Sequence, residues 1–220
     1  MKVAALQMVS SPRRDDNLAT ARQLLEQAAA SGVELAVLPE YFCAVGARDT
    51  DKLALRETPG QGVVQSFLAQ AARELDLWIV GGTLPMACDD PHKVRNTVLV
   101  YSPQGDCVAR YDKIHLFRYD NGLEHYDEGS VIEPGNTPVQ FHLPSRSGRT
   151  WCVGLSVCYD LRFPELYRQH ARAGADLLLV PSAFTCSTGQ AHWEVLLRAR
   201  AIENQAYVLA PAQGGEHETG

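Results

Sequence analysis

Residues 32–42 read "GVELAVLPEYF" and residues 174–184 read "GADLLLVPSAF". These two stretches decide how the chain folds. Each starts with a glycine of the kind that ends a helix, followed at the third position by an acidic residue. Each then runs through four apolar residues to a proline, with phenylalanine three positions later. Four continuous apolar residues stopped by a proline make a short strand covered on both faces, since proline cannot donate to a sheet ladder. Agreement position by position over this length points to an internal duplication.

The likeness extends on both sides. In the first half, Val3–Met8 reads as a strand and a helix is expected near Asn17–Ala30. Leu18, Ala21, Leu24, Leu25, Ala28 and Ala29 form its apolar face and Asp16 is its candidate cap. After strand Leu35–Leu38, the spacing of Val64, Phe67, Leu68, Ala71, Ala72 and Leu75 predicts a helix near Val63–Leu75, and strand Leu77–Gly81 follows. In the second half, strand Trp151–Val157 precedes a helix near Pro164–Ala173, with proline suited to the first helical turn. Strand Leu177–Val180 leads to a helix near Trp193–Asn204 and strand Tyr207–Ala210. Each half is therefore β-α-β-α-β, which implies parallel strands with helices packed on them.

The first half ends in a hairpin, "NTVLVYSPQGDCVARYDK", turning at Ser102–Gly105. The second half has no counterpart after Tyr207. Residues 1–220 are thus expected to form one domain that lacks a C-terminal hairpin and tail.

Bulk properties narrow the partners. A chain of 220 residues is sized for one sizeable core. A net charge of −6 without any basic run makes nucleic acid and anionic membranes poor partners. No apolar run approaches the roughly 20 residues of a membrane helix. The opening "MKVAALQM" reads as a strand rather than a signal peptide. Six scattered cysteines, with no C-x-x-C and no zinc spacing, read as reduced thiols and hence a cytoplasmic location. No metal site or organic cofactor is expected. The pairs Gly81-Gly82 and Gly214-Gly215 match no nucleotide-binding fingerprint.

Parallel sheets present functional groups at the C-terminal ends of their strands. Glu40 follows Pro39 there, Cys158 ends the strand beginning at Trp151, Lys113 ends the hairpin, and Glu128 lies in "HYDEGSVIEPG". Each also has a plain reading. A cysteine there can be a small core residue, and the carboxylates and the lysine can be surface charges. The duplication is expected to bring Glu40 and Cys158 to equivalent strand ends, facing one crevice. Seven histidines keep a Cys–His hydrolase in view, with His115 and His192 ranked as structural or substrate-contacting.

Three segments then carry a resemblance: "LPEYF", "YDKIHLF" and "GLSVCYDLRFPELYR", in that order. They resemble the three signature segments of the nitrilase superfamily of carbon–nitrogen hydrolases, and the likeness covers essentially the whole chain. The stretch "PSAFTCSTGQAHWEVLLRARAIENQAYVLAPAQ" is similar to the deaminated glutathione amidase branch and, less closely, to the ω-amidases. The resemblance implies a four-layer α-β-β-α sandwich and a homodimer or larger homo-oligomer. It implies an amidase that cleaves a small linear carboxamide, such as a deaminated-glutathione-like α-keto ω-amide, to an acid and ammonia through a cysteine thioester.

By that resemblance Glu40 is the general base, Lys113 the electrostatic partner, Cys158 the nucleophile and Glu128 the second glutamate. Glu124 and Glu133 are the alternatives for the last role. The Lys113 ammonium would help to hold the Cys158 thiolate, and with the Tyr159 backbone N–H it would form the oxyanion hole. Phe184, Thr185 and His192 are candidate substrate contacts. The rival readings are an ω-amidase, a nitrilase or a carbamoyl-amine hydrolase of the same superfamily, or a non-catalytic α/β binding module.

Overall fold

The structure is a computed structural model that describes residues 1–120, 122 and 125–218. The first half runs β1 (Val3–Ala5), α1 (Arg14–Ala30), β2 (Leu35–Val37), a short α2 (Asp51–Ala54), α3 (Val63–Leu75) and β3 (Trp78–Val80). It continues through β4 (Leu84–Ala87), β5 (Val94–Tyr101), β6 (Cys107–Asp112) and a ribbon of β7 (Arg118–Asp120) and β8 (His125–Asp127). The second half runs β9 (Gln140–Pro144), β10 (Thr150–Leu155), α4 (Pro164–Arg172), β11 (Leu177–Leu179), α5 (Cys186–Asn204) and β12 (Tyr207–Leu209).

The duplication holds at the level of individual bonds. β1, β2 and β3 are parallel neighbours, and so are β10, β11 and β12. Gly32 and Gly174 end their helices in the left-handed region, at φ +75° and +87°. The next N–H returns to the helix in both halves, Val33 to Ala28 O at 3.1 Å and Ala175 to His170 O at 3.0 Å. These are the same C-terminal cap made twice.

Alternation along the strands sets the layers. Leu35, Val37, Val80, Val98 and Val100 of the first sheet pack on Phe141, Val153, Leu155, Leu177 and Leu179 of the second. The opposite face of the first sheet, with Ala36, Leu38 and Ile79, carries α1 and α3 through Leu25, Leu68 and Ala71. The opposite face of the second, with Leu178 and Val180, carries Leu166 and Tyr167 of α4 and part of α5. The order is helix, sheet, sheet, helix. Strands covered on both faces have no polar side, which is why both repeats read as unbroken apolar runs.

Several boundaries differ from expectation. α1 starts at Arg14, so Asp16 lies inside its first turn and holds Arg13 Nε at 2.6 Å instead of capping the helix. α5 begins at Cys186, two turns before the expected start, because Thr185 caps it by accepting the Thr188 N–H. β4, β9 and the β7–β8 ribbon lie outside the expected elements: β4 and the ribbon are short and lack a clean apolar period, while β9 does alternate, with Phe141 and Leu143 buried between more exposed neighbours. Glu40 and Cys158 are not equivalent in the repeat. Ser182 takes the place of Glu40, while Cys158 lies three residues beyond β10 as Met8 lies three beyond β1. The base candidate and the sulfur therefore leave from different strands of their respective halves.

The pair Gly81-Gly82 also finds its use here. Gly82, at φ +50°, lies under the turn that carries Glu40, and a Cβ there would stand 2.0 Å from Pro39 O and 2.9 Å from Leu38 O. The next residue, buried Thr83, accepts the Tyr41 N–H through Oγ1 at 2.9 Å. This support leaves no room for a side chain. Gly82→Ala is expected to cost about 2–4 kcal/mol, from backbone strain plus displaced carbonyls. Urea unfolding measures it, and an unchanged midpoint would mean that the Glu40 turn yields freely.

Candidate active site

Four chain segments converge at one end of the sandwich. Glu40 follows β2 and Pro39. Lys113 follows β6, with its N–H on Asn96 O at 2.9 Å. Glu128 opens a single 3-10 turn after β8 and is anchored by its N–H to Phe117 O at 3.0 Å. Cys158 opens the turn after β10, and its N–H reaches Pro181 O at 3.0 Å.

Lys113 and Glu40 are each only 1 % exposed, so neither charge has water to solvate it. They solvate one another. Lys113 Nζ donates to Glu40 Oε1 at 3.0 Å and to both Glu128 oxygens, at 3.0 and 2.8 Å. Glu128 also accepts the Tyr41 hydroxyl at 2.8 Å and the Phe117 N–H at 2.7 Å. Glu40 also accepts Asn96 Nδ2 on Oε1 and the Ala183 N–H on Oε2, both at 2.9 Å. The Glu40 carboxylate and the Ala183 N–H both act on the Cys158 sulfur, the first opposing its ionisation and the second favouring it.

These surroundings push the two carboxylates apart in acidity. Burial lifts the Glu40 pKa; Lys113 opposes the rise and Glu128 adds to it. Burial also works against ionised Glu128, but Lys113 and its hydrogen bonds outweigh it and hold the carboxyl below the usual range. Burial opposes the Lys113 charge, yet Glu128 and Glu40 together keep its pKa well above that of an ordinary lysine. Burial and then Glu40 drive the Cys158 thiol well above its ordinary value, against the pull of Lys113. Lys113 acts on the sulfur in the expected sense, drawing its pKa down, but burial and Glu40 outweigh that pull. The ammonium is occupied by carboxylates, and the sulfur rests protonated beside an acceptor.

Above the cluster opens a cleft of about 600 Å³, reached by Cys158 and Glu128. Tyr41, Phe117, Tyr159, Arg162, Phe184 and Thr185 are among its walls. Phe184, Thr185 and Tyr159 thus all border this cleft. His192 does not line the cleft. It is exposed on α5, with Nδ1 3.1 Å from Arg162 Nη1. Glu133 pairs with Arg95 instead of Lys113, and Glu124 lies outside the described residues. Among the described residues, no group of three or more His, Cys, Asp or Glu is placed to hold a metal ion, and no helix is long and apolar enough to cross a membrane.

Asn96, Tyr41 and the Ala183 N–H were missed in the sequence. Tyr41 sits inside "LPEYF", so adjacency to Glu40 was the available signal. Asn96 opens the hairpin segment quoted above, where a polar residue facing a buried carboxylate looks like any other strand polar residue.

The chain is similar to known proteins over nearly its whole length. The family model described as carbon-nitrogen hydrolase matches residues 2–220. A protein of Synechocystis sp. named deaminated glutathione amidase is 42% identical over 217 residues, covering 97% of this chain and 78% of its own length. The crystal structure of the C. elegans NitFhit protein superposes with TM-score 0.83 at 35% identity, covering 98% of this chain, and this chain spans about half (52%) of that protein. A glutamate-to-glutamine mutant of the amidase from Nesterenkonia sp. AN1, with acrylamide joined by Michael addition to the active-site cysteine, superposes with TM-score 0.80 at 27% identity over 100% of this chain and 81% of its own. On the match over nearly its full length, the chain belongs to the carbon–nitrogen hydrolase family and is a hydrolase of carbon–nitrogen bonds.

Proposed function

We propose that this chain is an amidase that cleaves a small linear carboxamide carrying an acid group, by way of a thioester on Cys158. The supporting observation is the buried Glu40–Lys113–Glu128 cluster, with the Cys158 thiol against Glu40 at the floor of a cleft. An amide resists hydrolysis because its carbonyl is a weak electrophile and its nitrogen a poor leaving group. Covalent catalysis divides the reaction into two easier steps.

As the sulfur attacks, its proton passes to Glu40, so no free thiolate is needed beforehand. The electron pair of the carbonyl moves onto oxygen. That oxyanion is met by the Lys113 charge and the Tyr159 N–H, and one well-placed donor of this kind is worth about 3–4 kcal/mol. Collapse of the adduct breaks the C–N bond, and Glu40 returns the proton to the departing nitrogen. A primary amide yields ammonia and a substituted amide yields an amine. Glu40 next takes a proton from water, which attacks the thioester. The acid leaves and the sulfur is reprotonated. Glu128 stays ionised throughout and keeps the ammonium in place when Glu40 is neutral.

The substrate class rests on the cleft and on kinship with a protein named deaminated glutathione amidase. Arg162 lines the cleft, stacked near the Tyr159 and Phe184 rings at 5.6 and 5.7 Å. Among the described residues it has no carboxylate partner at salt-bridge distance, so its charge is available to a substrate carboxylate. The proposal extends to a homodimer or larger assembly in the cytoplasm. Exposed Val195 and Ile202 of α5 and Tyr207 of β12 support the first part, and six free cysteines support the second.

Three outcomes test this reading. First, Glu40→Gln is expected to form no acyl-enzyme. Intact-mass analysis after mixing with substrate reads this directly, and a thioester on that variant would restrict Glu40 to the water step. Second, kcat/KM should fall on the acid side as Glu40 takes up a proton, at a pH above the ordinary glutamate range. In Glu128→Gln, one of the charges that raise Glu40 is gone, so this acid limb should move to lower pH. A limb that stays or moves upward contradicts the assignment. Third, ammonia and amine release from a panel of amides, nitriles and ureides should favour amides bearing a carboxylate. Arg162→Gln should raise KM for those substrates by about tenfold or more, the worth of one charge-assisted hydrogen bond, and much less for uncharged amides.

A further inference from the structure

Asp160 is a buried carboxylate with no part in the chemistry above. It is fully buried, and its two oxygens receive four donors. Oδ2 accepts the Tyr111 hydroxyl at 2.6 Å and the Val157 N–H at 2.8 Å. Oδ1 accepts the His115 N–H at 3.0 Å and stands 2.7 Å from His115 Nδ1. Tyr111 and His115 are two residues before and two residues after Lys113. Val157 and Asp160 itself flank Cys158. One side chain therefore ties the segment that carries the ammonium to the turn that carries the sulfur, although they belong to different sheets.

The turn needs such a tie. Cys158 has φ +46°, a left-handed conformation that a residue with a Cβ adopts only under constraint. The Asp160 N–H closes back on Val157 O at 2.9 Å while its carboxylate takes the Val157 N–H, so the cysteine is gripped from both sides. Further along the turn, the His115 ring stacks flat on Phe163, with centroids 3.7 Å apart and planes 8° from parallel. The Lys113 segment and the Cys158 turn thus have two fixed contacts beyond the reacting groups.

We propose that Asp160 is a positioning residue that sets the Cys158 sulfur at its working distance from Lys113 and Glu40 by clamping the two segments together. It touches neither substrate nor the reacting atoms. A carboxylate suits this place because every neighbour is a donor. Asparagine has the same shape but offers a single acceptor oxygen, and its NH₂ would face an N–H or an O–H.

The inference rests on the reading of Cys158 as the nucleophile, and the test separates the two. In the full chain, Asp160→Asn is expected to lower kcat by about a hundredfold, as a displacement near 1 Å at a reacting centre does, with KM changed by no more than about threefold. Alkylation of Cys158 by acrylamide, followed by mass spectrometry, should slow about tenfold, because it reports the environment of the sulfur without any substrate. Tyr111→Phe removes one of the four donors and should give a smaller loss of kcat and of alkylation rate, again with little change in KM. Tyr111→Phe decides the matter if the asparagine variant fails to fold. The clamp is overturned if either folded variant keeps wild-type kcat and alkylation rate per folded molecule and loses only thermal stability. An active Cys158→Ala would instead remove the nucleophile assignment itself.

Discussion

The ammonium of Lys113, sealed from water between two carboxylates, is the constraint that the rest of the site obeys. A charge this deeply buried costs several kcal/mol in lost hydration unless it is paired and fully hydrogen-bonded. Its partners come from far apart in the chain, Glu40 from the end of β2 and Glu128 from the turn after the ribbon. Glu40 in turn takes the Ala183 N–H from the second sheet. Satisfying one ammonium therefore requires both sheets and the β7–β8 excursion to be in place at once. The cluster also holds one more carboxylate than cations. The two carboxylates part in acidity, burial lifting the Glu40 pKa while Lys113 and its hydrogen bonds hold Glu128 below the usual range.

Backbone strain follows the same division. Among the described residues, four without a glycine's freedom have positive φ: Tyr41, Asp76, Cys158 and Gln205. Asp76 and Gln205 are left-handed helix ends of a common kind. Tyr41 and Cys158 are different. They sit on the turns that aim Glu40 and the sulfur into one space, and each is held by a buried polar side chain, Thr83 in the first case and Asp160 in the second. Both turns also stand at the C-terminal ends of parallel strands, where the sheet supplies a rigid base and the chain must leave it sharply.

Much of the architecture was legible because burial on two faces erases polar alternation. Leu35–Leu38 and Leu177–Val180 could hardly be anything but central strands, and α3 follows its apolar spacing to the residue. What escaped was short or polar. β4 carries no clean period, β9 alternates over only two apolar residues, Phe141 and Leu143, and the first two turns of α5, "CSTGQAH", have no apolar stripe, so only the Thr185 cap announced them. Within the site, the positions of Glu40, Lys113 and Cys158 at strand ends were visible, but the assumption that the duplication relates Glu40 to Cys158 was not correct. The repeat aligns Glu40 with Ser182, so an asymmetric cluster stands on a symmetric frame.

The sequence by itself determined the duplicated β-α-β-α-β frame, the ends of the strands on which chemistry could sit, and the set of residue types available there. These follow from local periodicity and from prolines and glycines, which act over a few residues. Only the tertiary structure decided that Lys113 spends its hydrogen bonds on two carboxylates, that burial and Glu40 oppose ionisation of Cys158, that Arg162 lines the cleft and that Asp160 joins two segments. Those properties depend on burial and on which donor meets which acceptor across separate sheets. Such distances are set by packing between elements, and no spacing along the chain encodes them.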